Sequence, residues 1–280
     1  VNIFILTILY FALSKYGDVR LGGIEADKEF SDFSWMAMLF SAGMGIGLMF
    51  FSVAEPISHF GSVPPFFQGV ESGTEAAGTA GIAMTYFHWG IHPWAIYALV
   101  GLGLAFFSFN RGLPLTFRSV FWPLLGERIY GWPGDLIDIL SVIATLFGLS
   151  TSLGIGAQQV NAGLTVLSGE YLSATVPQAT WIQVVLIAGI TAIATLSVAA
   201  GLDGGVRRLS ELNLYLMLTF LAVILAVGPT LYLLRGFVSS IGAYAGVLPE
   251  LAFWTQTAGG DTWQSSWTIF YWGWWISWSP

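Results

Sequence analysis

Residues Trp267–Pro280 read Trp-Thr-Ile-Phe-Tyr-Trp-Gly-Trp-Trp-Ile-Ser-Trp-Ser-Pro, and the interpretation of the whole chain starts from this stretch. Four tryptophans fall within seven residues of an otherwise apolar segment. On a helix that turns about 100° per residue, Tyr271, Trp274, Trp275 and Trp278 share one broad face. Aromatic faces attract cations, and quaternary ammonium groups suit them best because they offer no N–H to a carboxylate. The stretch therefore predicts a helix that carries an aromatic cation site.

Tryptophan and tyrosine also collect at membrane–water interfaces, because their side chains have an apolar body and a polar tip. A belt of this kind is the alternative explanation for the stretch. Four indoles in so short a segment, beside Ser277, Ser279 and Pro280, exceed what a belt needs. We favour the cation site.

The composition places the chain in a membrane. It is 55% hydrophobic and only 9% charged, against roughly 25% charged residues in an ordinary soluble domain. There is no cysteine, so disulfides are excluded, and the net charge of −7 argues against a nucleic-acid partner. The chain begins with Val1 in an apolar run and ends in an aromatic one, so we expect it to be part of a longer protein.

Apolar runs of spanning length are separated by polar loops, and such runs must be helices because the bilayer satisfies no backbone polar group. We predict one transmembrane domain over residues 1–280 of an all-α integral membrane protein. Its seven predicted spans are 1–14, 33–57, 78–108, 136–166, 180–200, 212–234 and 263–280.

The basic residues predict the orientation of these spans. Eight of nine lie in loops that alternate onto one side, which is the cytoplasm by the positive-inside rule. The basic and aromatic loop 113–133 also predicts a short interfacial helix on that side, and 237–255 predicts a similar one on the outer side. The eight are Lys15, Arg20, Lys28, Arg111, Arg118, Arg128, Arg207 and Arg208.

The second span contains three glycines at alternate positions, Gly43, Gly45 and Gly47. Each costs a helix about 1 kcal/mol relative to alanine. Irregular backbone inside a membrane is tolerated only where it lines a cavity or is buried in protein, and broken helices bind substrates or ions in transporters. Close helix packing is the alternative reading of the glycines. Together with the tryptophan-rich segment, they favour a binding site.

The third span is interrupted by Pro93, which removes a backbone donor and clashes with the carbonyl four residues earlier. Trp94 and Tyr97 are helical neighbours that can form a second aromatic wall. His88 and His92 suggest either proton coupling or simple hydrogen bonding. A metal site is not expected there, because the sequence places no carboxylate or cysteine beside this pair.

The fourth span has small residues every four positions, Gly148, Ser152 and Gly156, which predict close helix packing. Thr145 is the hydroxyl in this span that could hold an ion. We predict no acidic or basic residue deep in any span, with Glu55 near a helix end, so a bound cation would meet rings and backbone dipoles. No set of side chains converges as an active site does, and the protein is predicted not to be an enzyme.

The tryptophan-rich stretch, the glycine break and the segment from His88 to Tyr97 together resemble the betaine/choline/carnitine transporter family, in order over the whole chain. The resemblance implies a LeuT-like core of two inverted five-helix repeats, preceded by two further helices. It implies that this chain corresponds to helices two to eight of twelve, which is the first repeat and the first helix of the second. A homotrimer in the cell membrane is also implied.

The resemblance assigns candidate binding residues. The absence of an aspartate in the glycine stretch implies a zwitterionic substrate such as glycine betaine rather than choline. The implied substrate box is Trp272, Trp274, Trp275 and Trp278 with Phe270; the path to it is lined by Trp89, Trp94 and Tyr97; and the glycine stretch is Gly43, Met44, Gly45 and Gly47.

Sodium is the coupling ion that the resemblance implies, and no other cofactor is expected. One sodium site would use backbone carbonyls at Ser41 and Met44. A second would use two hydroxyls on the fourth span, where Thr145 matches one and Leu149 stands in place of the other. The second site is therefore predicted to be impaired.

We thus expect a secondary transporter that imports a quaternary-ammonium zwitterion across the lipid bilayer with sodium. Within the same family, the alternatives are a proton-coupled choline carrier and a substrate exchanger. Outside it, they are a channel or a receptor that senses a quaternary amine through an aromatic cage.

Overall fold

The computed structural model describes residues 1–43, 45–257 and 263–280, and every regular element in these ranges is helical. Eleven α-helices, joined by short 3-10 and π turns, make up the described part of the chain. They are α1 (Asn2–Leu13), α2 (Asp32–Gly43), α3 (Ile46–Gly61), α4 (Glu75–Trp89), α5 (Ile91–Ala105), α6 (Trp122–Leu125), α7 (Trp132–Tyr171), α8 (Thr180–Ala199), α9 (Arg207–Val227), α10 (Thr230–Leu251) and α11 (Phe270–Trp278).

Among the described residues, five helical segments are long and apolar enough to cross a bilayer. Together they confirm an all-α, multi-pass integral membrane protein. The five segments are Glu75–Asn110, Trp132–Tyr171, Thr180–Ala199, Leu202–Val227 and Thr230–Leu251.

The predicted break in the second span is confirmed, because α2 ends at Gly43 and α3 begins at Ile46. The third span is also broken, and α4 ends at Trp89, the residue whose carbonyl Pro93 is predicted to clash with. The helix stops at Gly90, where an added Cβ would lie 2.5 Å from the carbonyl oxygen of Tyr86. Pro93 instead sits in the first turn of α5, where a helix has no intrahelical use for a backbone N–H.

The helix that covers the predicted sixth span, 212–234, ends at Val227. Gly228 and Pro229 follow it, and proline cannot continue a helix. A separate helix, α10, then runs from Thr230 to Leu251. The prediction of one helix through residue 234 is therefore wrong, and the surface helix predicted over 237–255 begins earlier and is longer.

The loop predicted to hold one short helix over 113–133 contains three short helical turns, which include α6. Arg118 fastens this loop to the start of α7. Its guanidinium lies 2.5 Å from Asp138 and 2.9 Å from Asp135, and it donates to the carbonyl of Ile129. Hydrogen bonds to the Asp138 carboxylate, and to Asp135, raise the pKa of Arg118 above its ordinary value.

The chain divides into two compact units, each built from separated stretches of sequence. The first unit comprises residues 1–27, 55–149 and 241–280, and it contains α11. Its α4 begins with Thr74, whose hydroxyl accepts from the backbone N–H of Ala77. This helix buries Met84 and Phe87 against Leu251. The helix cap and the apolar face thus position the end of α4, where the candidate site lies.

The second unit comprises residues 28–54 and 150–240. Within it α2 packs along α9. Ser34 Oγ donates to the carboxylate of Glu211 over 2.6 Å, and Asn213 Nδ2 donates to Ser41 Oγ over 3.2 Å. These side-chain bonds fix the helix that leads into the glycine stretch.

Candidate functional site

The aromatic helix α11 presents the face that its sequence predicts. Tyr271, Trp274 and Trp275 are buried, and Trp278 is half-buried. They recur at the three- and four-residue spacing of one helical face. A π turn at Ser265–Ile269 precedes the helix. This face of α11 supplies one wall of the candidate site.

The end of α4 and the start of α5 supply the opposite wall. The centroid of the Trp275 ring lies 5.9 Å from that of Trp89 and 5.5 Å from that of Trp94. Tyr97 and Trp278 are 5.4 Å apart, and Trp278 is 4.8 Å from Trp275. These distances are typical of interacting aromatic pairs.

Six rings therefore form one connected group within the first unit, which we call the aromatic cluster. Four of the contacts between these rings are edge to face. A group with this geometry can place ring faces around a cation. The aromatic cluster is Trp89, Trp94, Tyr97, Trp274, Trp275 and Trp278.

Two predicted box residues lie apart from most of this group. Trp272 packs on another side of α11, with its ring stacked on His92 at 5.9 Å and 5.4 Å from Phe87. Phe270 is 41% exposed and touches the cluster only through Trp274, at 5.8 Å. The structure thus brings together Trp274, Trp275 and Trp278 but places Trp272 in the helix-packing layer.

The packing of α7 against α11 holds the cluster in place. Trp274 Nε1 donates to the carbonyl of Gly148 over 3.2 Å. A Cβ at Gly148 would lie 2.6 Å from Ser277 Oγ and 3.0 Å from the Cβ of Trp278. Glycine is therefore needed here for close approach, as the small-residue pattern of this helix predicts.

Trp275 has a buried donor without an acceptor. Its side chain is 1% exposed, and its Nε1 has no hydrogen-bond partner among the described residues. A buried N–H without an acceptor costs about 1–3 kcal/mol. A ligand with an acceptor group at this point would remove that cost.

A buried carboxylate lies directly behind the cluster, at Glu55 in the interior of α3. Its side chain is fully buried. Tyr271 Oη donates to it over 2.6 Å, and Trp89 Nε1 donates to it over 3.1 Å. His88 Nδ1 lies 2.5 Å from the same carboxylate, and His59 Nε2 lies 3.3 Å from it. We call these five residues the Glu55 group.

The prediction that no acidic residue lies deep in a span is therefore wrong. Glu55 follows a long apolar run and precedes Pro56, which suggested a helix end, but α3 continues through the proline to Gly61. The available signal was an ionisable residue in an apolar segment, which is costly in a membrane unless it is paired or functional. His59 and His88 are such residues too, and both are buried here.

The Glu55 group also corrects the expectation about the two histidines of the third span. His92 does not pair with His88, because its Nε2 lies 3.0 Å from Asn2 Oδ1. His88 instead joins Glu55 and His59, and the ligating atoms of these three lie within 4.8 Å of one another. Such a set can hold a transition metal. Here the shortest of its distances joins His88 and Glu55 as a hydrogen bond, which a metal ion would have to displace.

The glycine stretch lies in the second unit, apart from the residues above in sequence. Gly43 is the last residue of α2, Gly45 is non-helical, and Gly47 is buried in α3. Ser41 is in the last turn of α2, where regular helical bonding leaves backbone carbonyls without intrahelical donors. Met44, to which both a substrate and an ion role are assigned, lies outside the described residues.

The predicted ion ligand on the fourth span lies in α7. Thr145 is half-buried, and Leu149 follows it one turn later with 50% of its surface exposed. The role of Thr145 stays a prediction. The side chain at 149 offers no oxygen, as the sequence indicates.

Comparison with known proteins identifies the family of this chain. The sequence matches, over residues 1–280, the family described as BCCT, betaine/carnitine/choline family transporter. A glycine betaine/proline/choline transporter of Vibrio parahaemolyticus serotype O3:K6 is 49% identical over all of this chain and 52% of its own length.

Two other relatives have similar likeness. An ectoine/glycine betaine/proline transporter of Corynebacterium glutamicum is 45% identical, over 99% of this chain and 44% of its own. A glycine betaine transporter of Acinetobacter baylyi is 44% identical, over 100% of this chain and 41% of its own length. The chain spans about half the length of the curated relatives it matches. It belongs to the betaine/carnitine/choline family, whose members are transporters of LeuT-like fold rather than enzymes.

Proposed function

We propose that this protein takes part in importing a quaternary-ammonium zwitterion such as glycine betaine, with sodium, by alternating access. The observation that carries the proposal is the aromatic cluster, six rings from α4, α5 and α11 that meet within the first unit. Ring faces bind a methylated ammonium without needing a hydrogen-bond donor on the ligand.

The carboxylate end of a zwitterion would meet the unpartnered Nε1 of Trp275. A cluster that offers ring faces and one buried donor suits a ligand with a cationic head and an acceptor tail. This supports glycine betaine over choline, whose hydroxyl is the weaker acceptor. The names of the three relatives above all include glycine betaine, and that of the Vibrio relative includes choline as well. Uptake of such an osmolyte would protect cells under osmotic stress.

Sodium coupling rests on the last turn of α2. Its backbone carbonyls, including that of Ser41, would hold one ion next to the glycine stretch. Leu149 favours a second candidate, a substrate exchanger that needs no sodium, because it removes a hydroxyl from the other expected ion site.

Uptake by the native protein in proteoliposomes tests the proposal. Labelled glycine betaine should accumulate above its external concentration under an inward sodium gradient, and not under a matched potassium gradient. Equal uptake in both ions, stimulated only by betaine inside the vesicles, would identify an exchanger. Equilibration without accumulation under any gradient would favour a channel.

A further inference from the structure

The Glu55 group places a carboxylate next to the aromatic cluster, whose own rings carry no charge. Trp89 belongs to both groups: its ring lies 5.9 Å from that of Trp275, and its Nε1 donates to Glu55. Tyr271 links them again, because it donates to Glu55 and its ring stacks beside Trp274 at 6.4 Å. The carboxylate is thus separated from the cluster by single rings.

The contacts of Glu55 favour its ionised form. It receives hydrogen bonds from Tyr271 and Trp89 and lies 2.5 Å from a nitrogen of His88. Hydrogen bonds donated to a carboxylate stabilise its charge. The other nitrogen of His88 lies 2.9 Å from the hydroxyl of Thr268, which can donate to it when the imidazole is neutral. With both His88 and His59 neutral, the group carries one negative charge.

No ion pair with a lysine or arginine offsets that charge among the residues that the structure describes. His59 Nε2 lies 3.3 Å away but makes no hydrogen bond to the carboxylate, and its ring packs 4.5 Å from that of Trp267. A carboxylate that is buried in a membrane protein without a lysine or arginine partner is costly, and such residues mark functional positions. A cation bound on the far side of one ring would offset it.

We propose that Glu55 is the counter-charge of the aromatic cluster: it acts through the Trp89 and Tyr271 rings to select a ligand with a positive head. This inference rests on the proposed function, since it assumes that the cluster binds a quaternary ammonium. Glu55 does not touch the ligand. It orients the Trp89 and Tyr271 rings by hydrogen bonds, and its negative charge stabilises a cation bound at the aromatic cluster.

The test separates charge from shape with a pair of ligands. Glycine betaine and 3,3-dimethylbutanoate have the same trimethyl head and carboxylate, but a neutral carbon replaces the ammonium nitrogen in the second. A purely structural role for Glu55 would change the two Kd values together. A counter-charge would change their ratio, because only glycine betaine carries the positive head.

Binding of both ligands is measured on the native protein and on Glu55→Gln, which keeps the size of the side chain and removes its charge. We expect the preference for glycine betaine over 3,3-dimethylbutanoate to fall by roughly tenfold, the size of a screened charge–charge interaction across one ring. Glu75→Gln is the matched control. It removes the same charge from an exposed position at the start of α4, about 20 Å along the helix from Trp89, and should leave the ratio unchanged.

His59→Lys provides a second variant should Glu55→Gln fail to fold. Its ammonium would pair with the carboxylate and neutralise the Glu55 group, so the ratio should again fall. An unchanged ratio of the two Kd values in a folded variant overturns the inference. The proposed function still stands in that case, provided that the native protein binds glycine betaine. Failure of the native protein to bind glycine betaine overturns both.

Discussion

Replacing Gly148 with alanine tests whether the α7–α11 contact shapes the aromatic cluster. The new Cβ would lie 2.6 Å from Ser277 Oγ, 3.0 Å from the Cβ of Trp278 and 3.1 Å from its backbone nitrogen. Ordinary contacts between carbon atoms are about 3.5–4.0 Å. The Ser277 hydroxyl could rotate, at the loss of its 2.7 Å hydrogen bond to the Trp274 carbonyl. The two Trp278 atoms cannot move without the helix.

The magnitude follows from two opposing effects. Overpacking of this kind costs about 1–3 kcal/mol, whereas replacing glycine by alanine inside a helix gains about 1 kcal/mol. Gly148→Ala should therefore lower the free energy of unfolding by up to about 2 kcal/mol. Gly154→Ala on the same helix is the control, because none of the described residues lies within 4 Å of a Cβ there. It should be neutral or stabilising.

Thermal unfolding followed by tryptophan fluorescence, with glycine betaine titrations on the same samples, measures both effects. Gly148→Ala should unfold at a lower temperature than Gly154→Ala. It should also bind more weakly, because Trp278 is displaced from Tyr97 and Trp275. Equal stability and equal affinity in the two variants would refute the reasoning that this glycine sets the position of Trp278.

Three further predictions concern the ion site, the loop before α7 and the buried histidine. Leu149→Thr restores a hydroxyl one turn after Thr145 at a half-exposed position, so it should fold and steepen the sodium dependence of uptake; an unchanged Hill coefficient for sodium would count against a second site in α7. Arg118→Lys removes the guanidinium that pairs with Asp135 and Asp138 through two nitrogens. It should lower the unfolding temperature and leave the affinity for glycine betaine unchanged. A weakened affinity would contradict a purely structural role. His92→Phe breaks the contact with Asn2 and should destabilise the protein by about 1 kcal/mol without shifting the pH profile of uptake; a shifted profile would instead revive proton coupling at this residue.

The aromatic wall of α11 was predictable because it depends on one helix. Residues three and four apart share a face in any α-helix, so Tyr271, Trp274 and Trp275 could be grouped without knowledge of their neighbours. Trp272 was grouped with them by resemblance alone, and its substrate role stays a prediction. It lies about 100° around the helix from Tyr271, and its neighbours Phe87 and His92 are set by tertiary packing, not by its position on α11.

Glu55 was missed because its burial depends on residues that are distant in the sequence. A proline after it and an apolar run before it suggest a helix end, and local sequence holds no sign of the donors that satisfy the carboxylate. Those donors come from α4 and α11, which lie 34 and 216 residues away along the chain at Trp89 and Tyr271. Burial of this residue could only be seen once the three helices were packed together.

Helix ends were predicted best where glycine and proline act locally. The break at Gly43–Ile46 agrees with the glycine pattern. At Gly228 and Pro229 the end of the helix was missed, because the hydrophobicity averaged over the surrounding residues stays high. A Gly-Pro pair is nevertheless a strong signal for a helix end. Near Pro93 the break falls at Trp89 and Gly90, one turn before the proline, and Pro93 fits the first turn of the new helix.

The most direct test of the account compares two tryptophans that are three residues apart on α11. Trp275 is inside the aromatic cluster and Trp272 is outside it. Glycine betaine binding and accumulation in proteoliposomes should be lost in Trp275→Leu. Trp272→Leu should lower stability through lost packing and keep the Kd within a few-fold of the native value. Equal losses of affinity in both variants, or normal accumulation by Trp275→Leu, would contradict the claim that the cluster is the binding site.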